Sequence, residues 1–193
     1  MTVPRLWNDT IEAHRAAVRE AVLDAAATLV ASHGLTGVTM SRIAELTGIG
    51  RATLYKYFPD IDAILLAWHE RQLAHHLDHL SAIRDRADTP STRLRAVLVA
   101  YARLSQHRHG GDLAAALHQS DHTTEAHARL HTLVRELITD AAEVGQARVD
   151  VPADELVAFC LHALTASSTV ASDDGLQRLV TLTLTALKPT AAD

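Results

Sequence analysis

Apolar residues along this chain recur at spacings of three and four, and no stretch shows the strict alternation of a half-buried strand. Between Ile11 and Ser32, the positions Val18, Val22, Ala25, Ala26, Leu29 and Val30 mark one side of an amphipathic helix. Gly34 follows as its expected left-handed cap. Thr39 is a side-chain N-cap for a short helix over Met40–Leu46, and Gly48 ends it. A second short helix, Arg51–Tyr57, stops before Pro59. Asp60 then caps a long helix reaching Asp85 or Arg86, with Ile64, Leu65, Trp68, Leu73, His76 and Leu80 near one face. Further helices are expected at about 91–108, 112–120, 123–145, 152–171 and 174–187. The pattern predicts an all-α fold of about nine helices.

The stretch Thr39–Phe58 carries the most chemistry. Ile43, Ala44 and Leu46 give the first short helix an apolar face, and Ile49, Ala52 and Leu54 supply the surface opposite. Two short helices joined by a tight turn with Gly make a helix-turn-helix, whose second helix enters the DNA major groove. Arg51, Thr53, Tyr55, Lys56 and Tyr57 suit that task. Arg bonds guanine at two points, and Thr reaches bases or phosphates. Thr39, at a helix N-terminus, offers a backbone amide to a phosphate. A plain helical hairpin with solvated basic residues is the competing reading of the pattern alone.

Composition sharpens this in a few places. A chain of 193 residues, 48% hydrophobic and 4% aromatic, has a core of Leu, Ala and Val. The longest apolar run, Ala96–Ala102, has seven residues, far short of a membrane span. The N-terminus lacks the apolar segment of a signal peptide, so a cytoplasmic location is expected. Cys160 is the sole cysteine, which excludes an internal disulfide and a multi-cysteine zinc site. The net charge is −5, yet residues 1–58 hold six Lys/Arg against five Asp/Glu, and the acidic excess lies beyond them. A near-neutral head binds DNA if its basic groups share one face.

Residues Ala21–Trp68 resemble the DNA-binding domain of the TetR/AcrR family of one-component transcriptional regulators. The resemblance rests on AVLDAAATLVASHG, then GVTMSRIAELTGIGRATLYKYFP, then DIDAILLAW, all in register. It implies a three-helix DNA-binding domain over 1–59 and a helical regulatory domain over 60–193, with an effector pocket and a dimer interface. It also implies DNA contacts by Thr39, Tyr55, Lys56, Tyr57 and Arg51. Three positions depart from the family pattern. Gly50 stands where Ser often caps the recognition helix. Arg42 replaces an acidic residue, which breaks the capping box but leaves a group able to reach phosphate. Ile61 replaces a common Lys, and a phosphate contact goes with it.

For the body, Trp68, Tyr101, His118, His122, Phe159 and His162 are the expected effector-lining residues, apolar and aromatic groups with a few polar ones. Thirteen histidines, 11 of them at or beyond His69, raise a second reading as a metal- or pH-sensing regulator. His75/His79 and His127/His131 each lie four apart on a helical face, and His118/His122 shares the spacing. Asp121 and Glu125 are nearby, but no third ligand is fixed and no HExxH occurs, so no metal or cofactor is assigned. Catalysis finds no support, because Ser120, Asp121 and His122 are adjacent instead of converging from separate segments. Leu156, Cys160, Ala163, Leu164, Ser167 and Val170, with Leu176, Leu179, Val180, Thr183, Leu184 and Leu187, form stripes for a homodimer's four-helix bundle. The expectation is a dimeric, ligand-responsive repressor that binds a palindromic double-stranded operator and is released by a small molecule.

Overall fold

The computed structural model describes residues 5–106 and 121–190, with side chains over 11–106 and 125–190. The described residues form eight α-helices, two 3-10 turns and no strand, the all-α architecture expected. The helices are α1 (Arg5–His33), α2 (Met40–Thr47), α3 (Arg51–Tyr57), α4 (Ile61–Arg86), α5 (Pro90–Gln106), α6 (Asp121–Glu143), α7 (Ala153–Thr165) and α8 (Asp173–Ala186). The helix expected at 112–120 lies outside the described residues.

Two boundaries differ for physical reasons. The first helix starts at Arg5, because neither Gly nor Pro interrupts the chain from there to His33. The helix expected at 152–171 ends at Thr165 and tightens into a 3-10 turn, Ala166–Thr169. There the hydroxyls of Thr165, Ser168 and Thr169 each donate to a carbonyl three residues back, at 2.6–2.9 Å. Such bonds compete with the regular helical ladder.

The chain divides into two compact units, Met1–Gln72 and Leu73–Asp193, so the first turns of α4 count with the head. In the head, Val22, Ala26, Ile43, Leu54 and Ile64 have no exposed surface, and Phe58 is nearly as deep. Arg19 lies over the Phe58 ring, 4.5 Å from its centroid. Arg71 clasps two acidic groups of α1, Glu20 at 2.7 Å and Asp24 at 2.9 Å. The body is built around α5, which packs against α6, α7 and α8. Its core includes Val97, Leu98, Leu137, Leu164 and Leu176. The buried Ser167 hydroxyl donates to the Ala102 carbonyl at 2.8 Å and ties the 3-10 turn to α5.

The stripes assigned to a dimer are largely consumed in this core. Leu156, Cys160, Leu164, Ser167, Leu176, Val180, Thr183 and Leu187 are all buried within the single chain. Periodicity marks an apolar face without saying which partner covers it. The opposite faces carry the exposed apolar groups, Phe159 on α7 and Leu182 on α8, 46% and 68% exposed.

Candidate nucleic-acid interface and effector groove

The head's geometry follows from local chemistry. Thr39 adopts an extended backbone, and its Oγ1 accepts from the Arg42 amide at 3.3 Å, the N-cap bond expected. At the other end of α2, the Thr47 hydroxyl donates to the Ile43 carbonyl at 2.7 Å and accepts from the Ile49 amide at 3.4 Å. Gly48 then turns the chain with φ 68° and ψ 9°, a left-handed conformation that costs other residues. Gly34 differs from expectation. Its φ is 69° but its ψ is −179°, a region essentially restricted to glycine, and not the left-handed cap. Gly50 precedes α3 with no side-chain cap bond, and Asp60 caps the start of α4 through a 2.8 Å bond from the Ala63 amide.

The buried face of the two short helices is narrower than the sequence pattern suggested. Met40 and Ile43 anchor α2, and Leu54 alone is buried on α3. Leu46 and Ala52, expected on the inner faces, are exposed. Seven-residue α3 has room for one inward position per turn, and Phe58, four residues after Leu54, supplies the next.

The remaining surface of α3 is open. Arg51, Thr53, Tyr55 and Lys56 are exposed, and Tyr57 is half-buried. No acidic side chain lies within α3, whose sequence is RATLYKY. Thr39 and Arg42 are also exposed. Arg42 Nη1 donates to the Gly37 carbonyl at 2.9 Å, which uses one of the guanidinium's five N–H groups. The sequence-expected DNA contacts therefore share one small unit, on the surface of α3 and at the N-terminal end of α2. Arg19, over Phe58, lies outside that expectation; no pattern in the linear sequence couples those positions.

The six expected effector residues do not assemble into one described site. His118 lies outside the described residues, and the side chain of His122 is not among those described. Phe159 and His162 sit on the exposed face of α7, where His162 Nδ1 is 2.8 Å from the Ala158 carbonyl oxygen. Tyr101 is half-buried against the body core. Trp68, counted with the head, is half-buried, and its Nε1 has no hydrogen-bond partner. In the body, a groove of about 540 Å³ opens between α4 and α5. Ile83, Ala96, Val99 and Leu104 form its apolar part, with Arg95, Arg103, Thr92 and His79 around them. The signal that would have found it is the second stripe of α5, where Arg95, Val99 and Arg103 repeat every four residues.

Histidine pairs are present on helical surfaces, but no three metal-ligand side chains converge among the described residues. His131 Nδ1 lies 3.9 Å from the Asp154 carboxylate, a half-exposed pairing. Burial alone pushes the Cys160 thiol up to about 12, so it is unreactive at ordinary pH. No described helix is long and apolar enough to cross a membrane.

Two short helices joined by a tight turn, the second with an exposed basic face, form a helix-turn-helix, and the rest of the described chain is all-helical. Comparison with known proteins agrees. Residues 22–68 match the family described as bacterial regulatory proteins, tetR family. Over 85 residues the chain is 36% identical to the HTH-type transcriptional repressor LfrR of Mycolicibacterium smegmatis, covering 44% of this chain and 41% of that protein. It thus spans about two fifths of the length of that curated relative. The structure of the TetR transcriptional regulator SCO0520 from Streptomyces coelicolor superposes over 90% of this chain and 99% of that one, with TM-score 0.61 and 26% identity. The fold is shared with FadR from Bacillus subtilis in complex with stearoyl-CoA, at 15% identity, TM-score 0.66 and coverage of 87% and 98%. Residues 22–68 are thus similar to the DNA-binding region of tetR-family regulators, and the described chain shares the fold of TetR-type regulators.

Proposed function

We propose that this protein is a ligand-responsive, sequence-specific DNA-binding regulator of transcription, acting in the cytoplasm as a homodimeric repressor. The observation that carries this reading is the exposed row Arg51, Thr53, Tyr55 and Lys56 on α3, held from behind by buried Leu54. Arg51 reads a base edge from the N-terminal end of α3, and Lys56 pairs with phosphate. Tyr55, Thr53 and Tyr57 add hydroxyl contacts to the backbone or bases. Thr39 presents the free amides of the first turn of α2 to a phosphate, and Arg42 supports it. On this reading residues 1–59 recognise DNA and residues 60–193 bind effector and partner.

One head reads one half-site, so a palindromic operator requires two. The exposed faces of α7 and α8 are the surface for the second copy. Phe159 and Leu182 are its apolar anchors, with Ala158, Thr165, Thr181 and Thr185 small enough for close helix approach. Effector binding in the body shifts the population between DNA-competent and incompetent arrangements, which releases the operator. With Phe159 given to the dimer face, Trp68, Tyr101, His118, His122 and His162 remain the candidate effector contacts of this reading. The fold neighbour with stearoyl-CoA supports a ligand-holding body in general terms.

The test is operator binding by two variants at several salt concentrations. Arg51→Ala flattens discrimination between operator and unrelated DNA. Lys56→Ala weakens both alike and lowers the salt slope by about 1 per head. Wild-type behaviour in both variants would remove α3 as the recognition helix.

A further inference from the structure

We propose that Arg19, on α1, is a DNA phosphate contact of the head, held in place by Phe58 and supported by Arg15 one turn earlier. This rests on the reading of α3 as the recognition helix, and it adds a second element to the DNA surface. The starting point is the length of α3. Its seven residues span about 10 Å, and the major groove is about 12 Å wide. A helix of that length set in the groove keeps both of its ends close to a phosphate wall. Beyond Lys56, the chain brings no cation of its own to the C-terminal end. From Tyr57 to Ala63 the charged residues are Asp60 and Asp62, and Asp60 is engaged as the cap of α4. A phosphate at this end must be met by a cation from another element.

Helix α1 supplies that cation. Arg19 Cζ lies 4.5 Å from the centroid of the Phe58 ring. Phe58 is the residue that closes α3, its amide donating to the Leu54 carbonyl at 3.0 Å. The ring is only 2% exposed and forms a fixed platform, whereas Arg19 is exposed. A cation over a ring is attracted through its charge and does not spend its N–H donors there. The guanidinium therefore stands at the end of α3 with a fork of donors that matches two phosphate oxygens. An arginine already held in this way loses less side-chain freedom when DNA arrives.

The charges of α1 are sorted around the helix in a way that favours this role. Glu20 and Asp24 lie one turn apart, and both meet Arg71. On the helix they are turned about 100–140° away from Arg19. Arg15 and Arg19 are likewise one turn apart, on the other side, and both are exposed. Glu12 is an acidic residue of that side, seven residues before Arg19 and so roughly 10 Å along the axis. The acidic side of α1 is thus offset by Arg71, and the basic side faces water beside the end of α3.

The experiment is fluorescence anisotropy of the full chain with a labelled DNA duplex of arbitrary sequence, titrated at several potassium chloride concentrations. Phosphate contacts carry no sequence information, so no operator need be known. Arg19→Ala is expected to weaken binding about tenfold and to lower the salt slope by about 0.9 per head. Arg19→Lys keeps the charge and is expected to keep the slope. Arg71→Ala removes a cation from the other side of α1 and is expected to leave the slope unchanged. Melting curves of each variant separate folding from contact. A merely structural Arg19 would lower the melting temperature and the affinity without moving the slope, and that result overturns the proposal. So does an Arg19→Ala chain that binds as the wild type does, an Arg71→Ala chain with the same loss of slope, or a folded wild type that binds no duplex. Lys56→Ala, titrated alongside, separates the two levels. Loss of slope in Lys56→Ala alone removes this inference and leaves α3 on the DNA. Loss of slope in Arg19→Ala alone supports the contact and removes the reading of α3.

Discussion

Replacing Gly37 with Ala should damage the head more than replacing Gly48, although Gly48 has the left-handed backbone. A Cβ at Gly48 meets nothing within 4 Å, so Gly48→Ala incurs only conformational strain, about 1–2 kcal/mol. Gly37 has no positive φ, but a Cβ there falls well inside contact distance of His33 Cβ. That atom is the root of a side chain on the last residue of α1, so no rotamer change moves it away. The turn must shift from α1, and with it the Gly37 carbonyl that Arg42 holds at 2.9 Å. Overpacking of this kind costs about 1–3 kcal/mol, and loss of the Arg42 bond adds roughly 1. At roughly 0.05–0.15 kcal/mol per residue, a unit the size of Met1–Gln72 has about 4–11 kcal/mol in all. Urea unfolding followed by circular dichroism should therefore show Gly37→Ala with the larger fall in midpoint. The control is His33→Gly, which removes the obstructing atom. The double variant should lose less than the two single losses added together, because the clash exists only when both Cβ atoms are present. Additive losses, or a Gly37→Ala chain as stable as the wild type, would refute the steric argument.

Other expectations concern the body and its links. Ser105 Oγ is buried without a partner, so Ser105→Ala should keep or raise the melting temperature, worth up to about 1 kcal/mol. Ser167→Ala, losing the 2.8 Å bond to Ala102, should lower it by about as much in the same melt. Cys160 ionises more readily unfolded, near 9.0, than folded, at about 12. Its contribution to stability is therefore intact below pH 9 and is lost as pH rises toward 12; Cys160→Ala should flatten that fall, and thiol reagents at pH 8 should label the wild type only on unfolding. Arg71→Ala should weaken the head by about 1 kcal/mol or less, since its acidic partners are 60% and 74% exposed, and Arg71→Met should recover the part due to the stem. Phe159→Glu with Leu182→Glu should convert a dimer to folded monomers in analytical ultracentrifugation; an unchanged sedimentation coefficient would place the interface elsewhere.

The head was legible in the sequence because its determinants are local. Thr39, Gly48 and Asp60 act on backbone groups within three residues, so their positions reveal what they do. The body was legible only as helices. Leu156 and Leu176 fall on clear stripes, but a stripe covered by its own chain has the same period as one covered by a second copy. The exposed stripe with Phe159 and Leu182 is interrupted by small and polar residues, so its period is weak, and Phe159 reads in the sequence as a pocket residue instead. The groove was hidden for a similar reason. Arg95 and Arg103 look like solvated charges until α4 places His79 and Ile83 beside the same face of α5. Gly37 shows the limit in the head itself, since only the folded turn brings it against His33.

The central claim, a dimer that reads DNA through α3, is tested most directly by selecting bound sequences from a random pool of double-stranded DNA with the purified full chain. The account predicts enrichment of an inverted repeat whose half-sites lie about one helical turn apart, or a multiple of it, with enrichment lost in Arg51→Ala. Failure of the folded, dimeric, effector-free protein to enrich any sequence would contradict it, as would an enriched site that Arg51→Ala still selects.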